Sequence, residues 1–362
     1  MAMNETEGRF LVLHEFIKAA KNRLSPNIWD YLIGATETET TLARNRAAID
    51  QVALRPRVLN DVSRVDTGTD FFGHRIDLPV FLAPVGSLES FEPGGGATVA
   101  KGAGLARVPF MLSSVSQPGL EETARNATGP KIFQLYVRGG DDFVDDHATR
   151  AIAAGYDAFC ITVDTAHYSR RERDIAKRFV KSWRAVAQGM DHQAALNWDD
   201  IRRFKDKHRI PLILKGIGTG EDAEIAVRAG VEVIYVSNHG GRQLDGGRGS
   251  LDVLPEVVEA VAGRAKIMVD GSFSRGTDLL KAVALGADWV GLGRLYLYGL
   301  AADGANGIAQ LLAILKDEAT RALGLTGVTG FAQLNRSHVH MGAPIVTMPH
   351  VHSAFPLLRE GY

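Results

Sequence analysis

Eight short runs of apolar, β-favouring residues recur along this chain, separated by stretches with the composition of helices, and that alternation limits the possible folds more than any other feature. The runs are Pro79–Ala83, Pro109–Ser113, Lys131–Tyr136, Phe159–Asp164, Pro211–Lys215, Val233–Ser237, Lys266–Asp270 and Trp289–Gly293. Such continuous apolarity suits strands buried on both faces, as in a parallel sheet covered by helices. Between them, Glu221–Gly230 and Asp278–Gly286 each begin with an acidic turn and end on glycine, which complements the helix dipole and supplies a stop. Eight strand-and-helix units predict an α/β protein, a (β/α)8 TIM barrel with an N-terminal helical extension. The expected organisation is one barrel domain over residues 1–362, with a helical segment at 1–75 and a C-terminal arm at 340–362.

Charge and cysteine usage narrow the function classes. Lys and Arg total 41 against 42 Asp and Glu, a formal net charge of -1, so no global field collects nucleic acid. The single cysteine, Cys160, lies in the apolar run Ala158–Ile161, which excludes an internal disulfide and reads as core. Residues Met1–Glu7 begin acidic and lack a basic region followed by an apolar one, which argues against a secretory signal. No apolar run is long enough to span a bilayer, so the expected location is cytoplasmic. The eleven histidines are scattered, and His338 with His340 suits a surface strand or loop; no metal is expected.

A barrel sorts the polar residues by position. Ser113, Gln134, Tyr136, Thr162, Asp164, Lys215, Ser237, Asp270, Gly293 and Arg294 fall near the C-terminal ends of the expected strands, the end that carries the active site in this architecture. After the sixth strand comes Ser237-Asn238-His239-Gly240-Gly241-Arg242-Gln243-Leu244-Asp245. Its glycines allow close backbone approach, its imidazole exchanges a proton near neutral pH, and its guanidinium fits a carboxylate. That combination predicts a site for an acidic small molecule. The last two strand ends, Asp270-Gly271-Ser272 and Gly293-Arg294, suit a phosphate grip of backbone amides and a helix start. No glycine fingerprint with a suitably spaced acid supports a Rossmann nicotinamide site. Extra chain between Asp164 and Lys215, including Arg170–Asp174 and Lys181–Gln193, predicts a partial lid at the catalytic face.

Taken in order, Phe133-Gln134-Leu135-Tyr136, Thr162-Val163-Asp164, Leu214-Lys215-Gly216, the Ser237–Asp245 stretch and Val269-Asp270-Gly271 resemble the FMN-dependent L-2-hydroxy acid oxidase/dehydrogenase family, over about Phe16 to His338. The resemblance implies FMN and the oxidation of a 2-hydroxy acid of the lactate, glycolate or mandelate type to the 2-oxo acid. It implies His239 as the base, Asp164 as its partner, Arg242 and Arg171 as carboxylate ligands with Tyr31 beside them, and Tyr136 near the substrate hydroxyl. Lys215 would face the flavin's N1 and O2; Ser113, Gln134 and Thr162 would bond its ring, and Ala83, Pro84, Val85 and Gly86 would present backbone to it. Ser237, Asp270, Gly271, Ser272, Gly293 and Arg294 would meet the ribityl chain and phosphate.

Three departures from the family pattern bear on function. Ser274 stands where glycolate oxidase has a phosphate-contacting arginine, so either Arg275 reaches the phosphate or the grip relies on Arg294 and amides, with weaker FMN retention expected. Gly86 replaces the alanine of many oxidases, which favours a dehydrogenase using a quinone, a carrier or another acceptor over an oxygen-using oxidase that makes peroxide. The loop after Arg171 is shorter than in glycolate oxidase, and Val115 and Tyr168 replace a tryptophan and a leucine, which favours a more open entrance and a larger or aromatic substrate. A homo-oligomer, as a tetramer, is the expected assembly. A non-redox isomerase or lyase on the same phosphate-binding barrel is the competing class.

Overall fold

The computed structural model describes residues 9–185 and 188–362; the acidic start Met1–Glu7 and part of the Lys181–Gln193 segment lie outside the described residues. Three helices open the chain, α1 (Leu13–Arg23), α2 (Pro26–Ile33) and α3 (Thr40–Asp50), followed by strands β1 (Val52–Leu54), β2 (Thr69–Phe71) and β3 (His74–Ile76). All eight expected strands form: β4 (Val80–Leu82), β5 (Phe110–Ser113), β6 (Lys131–Leu135), β7 (Ala158–Thr162), β8 (Leu212–Ile217), β9 (Val233–Val236), β10 (Lys266–Asp270) and β11 (Trp289–Leu292). They pair in parallel in chain order, and β11 closes on β4 to complete the barrel. The helices between and after them are α4 (Gly95–Ala106), α5 (Leu120–Arg125), α6 (Asp141–Ala153), α7 (Glu172–Ala176), α8 (Ser182–Ala185), α9 (Met190–Ala195), α10 (Trp198–Lys207), α11 (Gly220–Arg228), α12 (Ser250–Val261), α13 (Gly276–Ala284) and α14 (Arg294–Thr326). A last strand, β12 (Val339–Met341), pairs antiparallel with β1 and carries exposed His340.

Inside the barrel, Phe81, Met111, Ile132, Cys160, Ile213, Val233 and Met268 form a core separate from the larger one between strands and helices. Its lower end is closed by a hairpin, a structure that goes beyond helices in residues 1–75. Phe72 and Gly73, at φ 48° and 81°, form the tight left-handed turn that matches strand twist. Phe71 and Ile76 then enter the barrel core, and Trp289 Nε1 donates to the Asp70 carbonyl at 2.9 Å. Without this plug the bottom ring of apolar side chains would face water.

At the opposite end, the opening helices position the site. Ser25 caps α2, with Pro26 at its first position, and the helix delivers Tyr31 to the barrel mouth. A buried ion pair, Arg46 to Asp278 at 2.8 Å, ties α3 to α13. The arm at 340–362 folds back on its own chain rather than reaching outward, and ends in a short helical turn over Pro356–Glu360.

Candidate active site

A cleft opens at the C-terminal ends of the strands, with about 1360 Å³ of empty space that includes the solvent at its mouth. Tyr31, Tyr136, Arg171, Lys215, His239 and Arg242 all line it. So do Ala83 to Gly86 on one wall, and Asp270 to Ser274, Gly293 and Arg294 at the far end.

The backbone around His239 explains its glycines. His239, Gly240 and Gly241 adopt φ of 60°, 63° and 77°, three left-handed residues in succession. A β-carbon on Gly241 would stand 2.5 Å from the Leu42 amide nitrogen of α3, so only glycine fits there. Asn238 holds the turn by accepting from the Gly241 amide at 3.0 Å and by exchanging side-chain amide bonds with Asn45 at 2.7 and 2.9 Å. The imidazole is thereby fixed. Its Nδ1 lies 3.1 and 3.2 Å from the Asp164 carboxylate oxygens and 3.2 Å from Lys215 Nζ; Nε2 faces the Tyr136 hydroxyl at 3.1 Å. With Asp164 accepting the Nδ1 proton, Nε2 is left as the acceptor pointing to the cleft.

Electrostatics fit a neutral base. Burial, then the Lys215 cation, lowers the His239 pKa, while Asp164 opposes both. Burial alone would raise the Asp164 carboxyl, but His239 and Lys215 outweigh it and keep the group ionised. Burial and the neighbouring Arg171 bring Arg242 down to about 9. Neither Arg171 nor Arg242 pairs with a carboxylate among the described residues; Arg242 Nη1 donates to the Tyr31 and Gly34 carbonyls at 2.8 and 2.7 Å, and Arg171 Nε to Ser169 Oγ at 3.2 Å. Two like charges held close in a cleft create a demand for an anion.

Other predicted residues lie deeper. Gln134 and Thr162 are fully buried at neighbouring strand ends, and Gln134 Nε2, Gln134 Oε1 and Thr162 Oγ1 have no hydrogen-bond partner. Ser113 is in register with Gln134, and Thr162 with Lys215. Unpaired buried polar atoms cost about 1–3 kcal/mol each, so this row is built for a group with both donors and acceptors. Ser237 donates to Asp270 Oδ1 at 2.7 Å, and Tyr235 to its other oxygen at 2.8 Å. Arg275 is the exception. Its guanidinium pairs with Glu318 at 2.5 Å and does not enter the cleft, because the chain after Ser274 is pinned by two amide bonds to Asp278 at the start of α13.

Several lining residues escape the sequence reading. Gln193 of α9 accepts from the Val137 amide and donates to the Thr162 carbonyl, both at 2.8 Å, stitching the segment after β7 over the cleft beside Met190. Behind the lining, Lys181, 5% exposed, pairs with Asp174, lies 3.2 Å from the Tyr168 hydroxyl and stands 4.2 Å from the centre of the Tyr31 ring. Phe91, Arg138, Tyr298 and Val351 complete the wall. Only Val115 and Tyr168, also in the lining, carried a readable signal, through the pattern they depart from.

A parallel barrel whose mouth joins a buried imidazole, two arginines without a carboxylate partner among the described residues, a row of unsatisfied polar side chains and two glycine-bearing strand-end turns has the features of a cofactor-dependent enzyme acting on small acids. Residues 20–341 match the FMN-dependent dehydrogenase family, and the chain belongs to it. It is 35% identical to glycolate oxidase 1 of Oryza sativa subsp. indica, with 94% of this chain and 99% of the relative covered. It is 36% identical to an L-lactate oxidase of Nostoc sp., covering 91% and 98%. Among solved structures, mandelate oxidase with (S)-4-hydroxymandelic acid superposes with a TM-score of 0.87 at 36% identity, covering 92% of this chain and all of that one. FMN fits the residues present: the orphaned Gln134 and Thr162 atoms are donors and acceptors of the kind its ring would need, and the amides before α13 and α14 are of the kind its phosphate would need. Among the described residues no helix is long and apolar enough to cross a membrane.

Proposed function

We infer that the chain oxidises L-2-hydroxy acids to 2-oxo acids with FMN, and that its substrates carry a bulky or aromatic side chain. The observation that carries the reading is the imidazole of His239, held between Asp164 and Tyr136 in a cleft whose facing wall bears two uncompensated arginines. Arg171 and Arg242 take the substrate carboxylate, which brings the α-carbon and its hydroxyl toward His239. Nε2 of His239 accepts the proton, Asp164 stabilises the imidazolium that results, and the Tyr136 hydroxyl donates to the substrate oxygen. FMN, when bound, would take up the two electrons and the second of the two hydrogens that the substrate loses. Lys215 holds positive charge at the floor, where it offsets negative charge gathered in the reaction. Burial by Phe91, Leu32 and Val115 keeps water from the reacting centre.

Likeness to glycolate and lactate oxidases over nearly the whole chain supports oxygen as the acceptor. Gly86 supports the second reading, transfer to a quinone or carrier. A cytoplasmic homo-oligomer is the setting proposed with either. Anaerobic reduction with a panel of L-2-hydroxy acids, followed by mixing with oxygen or a soluble quinone, tests all of this. Bleaching of flavin absorbance by aromatic acids ahead of glycolate supports the substrate class, and no bleaching by any hydroxy acid rejects the function in favour of a non-redox barrel. Fast reoxidation by oxygen with peroxide formed selects the oxidase; fast reoxidation by quinone alone selects the dehydrogenase.

A further inference from the structure

The end of the chain lies beyond residues 20–341, the stretch that the family pattern matches, yet it returns to the cleft. Val351 is part of the cleft wall, as are Leu297 and Tyr298 of α14. His352 stacks on Trp29, with ring centres 5.8 Å apart and planes at 27°, and its Nε2 lies 3.0 Å from the Tyr298 hydroxyl. Two residues on, the Ala354 carbonyl accepts from Arg275 at 3.5 Å. Phe355, 2% exposed, anchors the segment by meeting the edge of His14 at 5.6 Å beneath the Arg275 guanidinium.

These contacts fall close to two particular turns. Tyr298 stands one helical turn beyond Arg294, and Arg275 directly follows Ser274, so one short segment touches the residues just beyond both strand-end turns assigned to the FMN phosphate. That end is poor in free cations. Arg275 is committed to Glu318, and Arg294 already donates to the carbonyls of Leu32, Gly240 and Gly34 at 3.2, 3.0 and 2.8 Å. A phosphate held chiefly by amides stays bound only while water is kept from it and the two turns stay together, because exposed anion contacts are weak and screened.

We propose that residues 349–358 are a working part of the cofactor site: a strap that closes its phosphate end, with Val351 as the wall, His352 as the positioning residue and Phe355 as the anchor, and that slows the departure of FMN. The proposal rests on the FMN reading above. It is tested by following free-flavin fluorescence after dilution of the FMN-loaded protein, for the full chain, for a chain ending at Met348 and for full-length His352→Ala. FMN release about tenfold faster or more in both variants is expected, the size of one lost contact network at about 1.4 kcal/mol. The coupling is reciprocal, so bound FMN must in turn slow amide hydrogen exchange across 349–358 in the full chain. Release within about twofold of the full chain in a variant that keeps its circular dichroism and melting temperature overturns the strap. Equal exchange of the arm with and without FMN overturns it as well. If the truncated chain does not fold, His352→Ala and the exchange measurement decide. A full-length chain that binds no FMN overturns the cofactor reading itself, whereas one that binds FMN and releases it independently of the arm overturns only the strap.

Discussion

Replacing Asp164 with asparagine separates the catalytic reading of this cleft from a merely structural one. The carboxylate lies 3.1 and 3.2 Å from His239 Nδ1, and both side chains are 13% exposed, so their interaction is little screened. When Nε2 takes the substrate proton, the imidazole becomes a cation beside Lys215 Nζ at 3.2 Å, and Asp164 is the anion that makes this tolerable. Removing one partner of a buried pair costs about 3–5 kcal/mol. At 1.36 kcal/mol per factor of ten, Asp164→Asn is expected to lower kcat by about 10²–10⁴-fold. KM is expected to change far less, because Asp164 stands behind His239 rather than in the lining of the cleft. The pH profile carries a second signature. His239 is active when neutral, and its pKa already lies below the usual 6.5, so activity is present above that depressed pKa and is lost as pH falls through it. Asp164 is the group that raises this pKa, hence the variant's acid limb must move to lower pH while its plateau drops. Steady-state rates and anaerobic single-turnover rates across the acid range measure both. A loss under about tenfold, or an acid limb that moves up, refutes the assignment.

Four further outcomes follow from the same geometry. Arg171→Leu removes one of two facing cations, so KM for the acid is expected to rise by about 10²-fold or more, with Arg242 shifting up from about 9; an unchanged KM removes Arg171 from the carboxylate site. Gly86→Ala brings a β-carbon to 2.8 Å from Val115 Cγ2, an overpacking of about 1–3 kcal/mol that Val115→Ala relieves; additive effects on melting temperature in the double variant contradict that contact. Gln134→Leu deletes two orphaned polar atoms, so flavin-free protein keeps or gains stability while FMN binds about tenfold more weakly; destabilised apoprotein with unaltered FMN affinity refutes the role. Burial, His350, Arg294 and Lys21 lower His352 to about 4 from 6.5, where it faces Tyr298 and Trp29. The docked arm therefore holds a neutral imidazole while an undocked arm takes up a proton, and docking is lost as pH falls from 6.5 toward 4, at up to about 1.4 kcal/mol per unit. FMN release measured over that range must accelerate on acidification in the full chain, and pH-independent release contradicts the His352 assignment.

Much of this is legible in the amino-acid sequence, for a definite reason. A parallel barrel buries every strand on both faces, so each strand is an apolar run, and the polar residue that ends it stands out against that background. Asp164, Lys215 and Asp270 were visible in that way, and the glycines after His239 marked the left-handed turn that they form. The hairpin that plugs the barrel was less visible. Its strands are three residues each, and Phe72-Gly73 is not among the common turn pairs, so nothing but the finished barrel called for a plug.

Arg275 shows where reading by position stops working. As a cation one residue beyond the expected phosphate ligand, it invited the inference that it reached back into the site. The deciding group is Glu318, 43 residues away on α14, which offers a half-buried carboxylate at 2.5 Å and also accepts the Gly276 amide at 2.8 Å. An arginine at a strand-end turn has two directions open to it, and the carboxylate within reach wins, since a half-buried ion pair is less screened than a fully exposed one. Once turned outward, Arg275 offers the arm a donor for Ala354 and a cation above Phe355. The orientation that takes Arg275 away from the cleft is thus the same one that gives the arm its donor and its cation, which links the turn after Ser274 to the last residues of the chain.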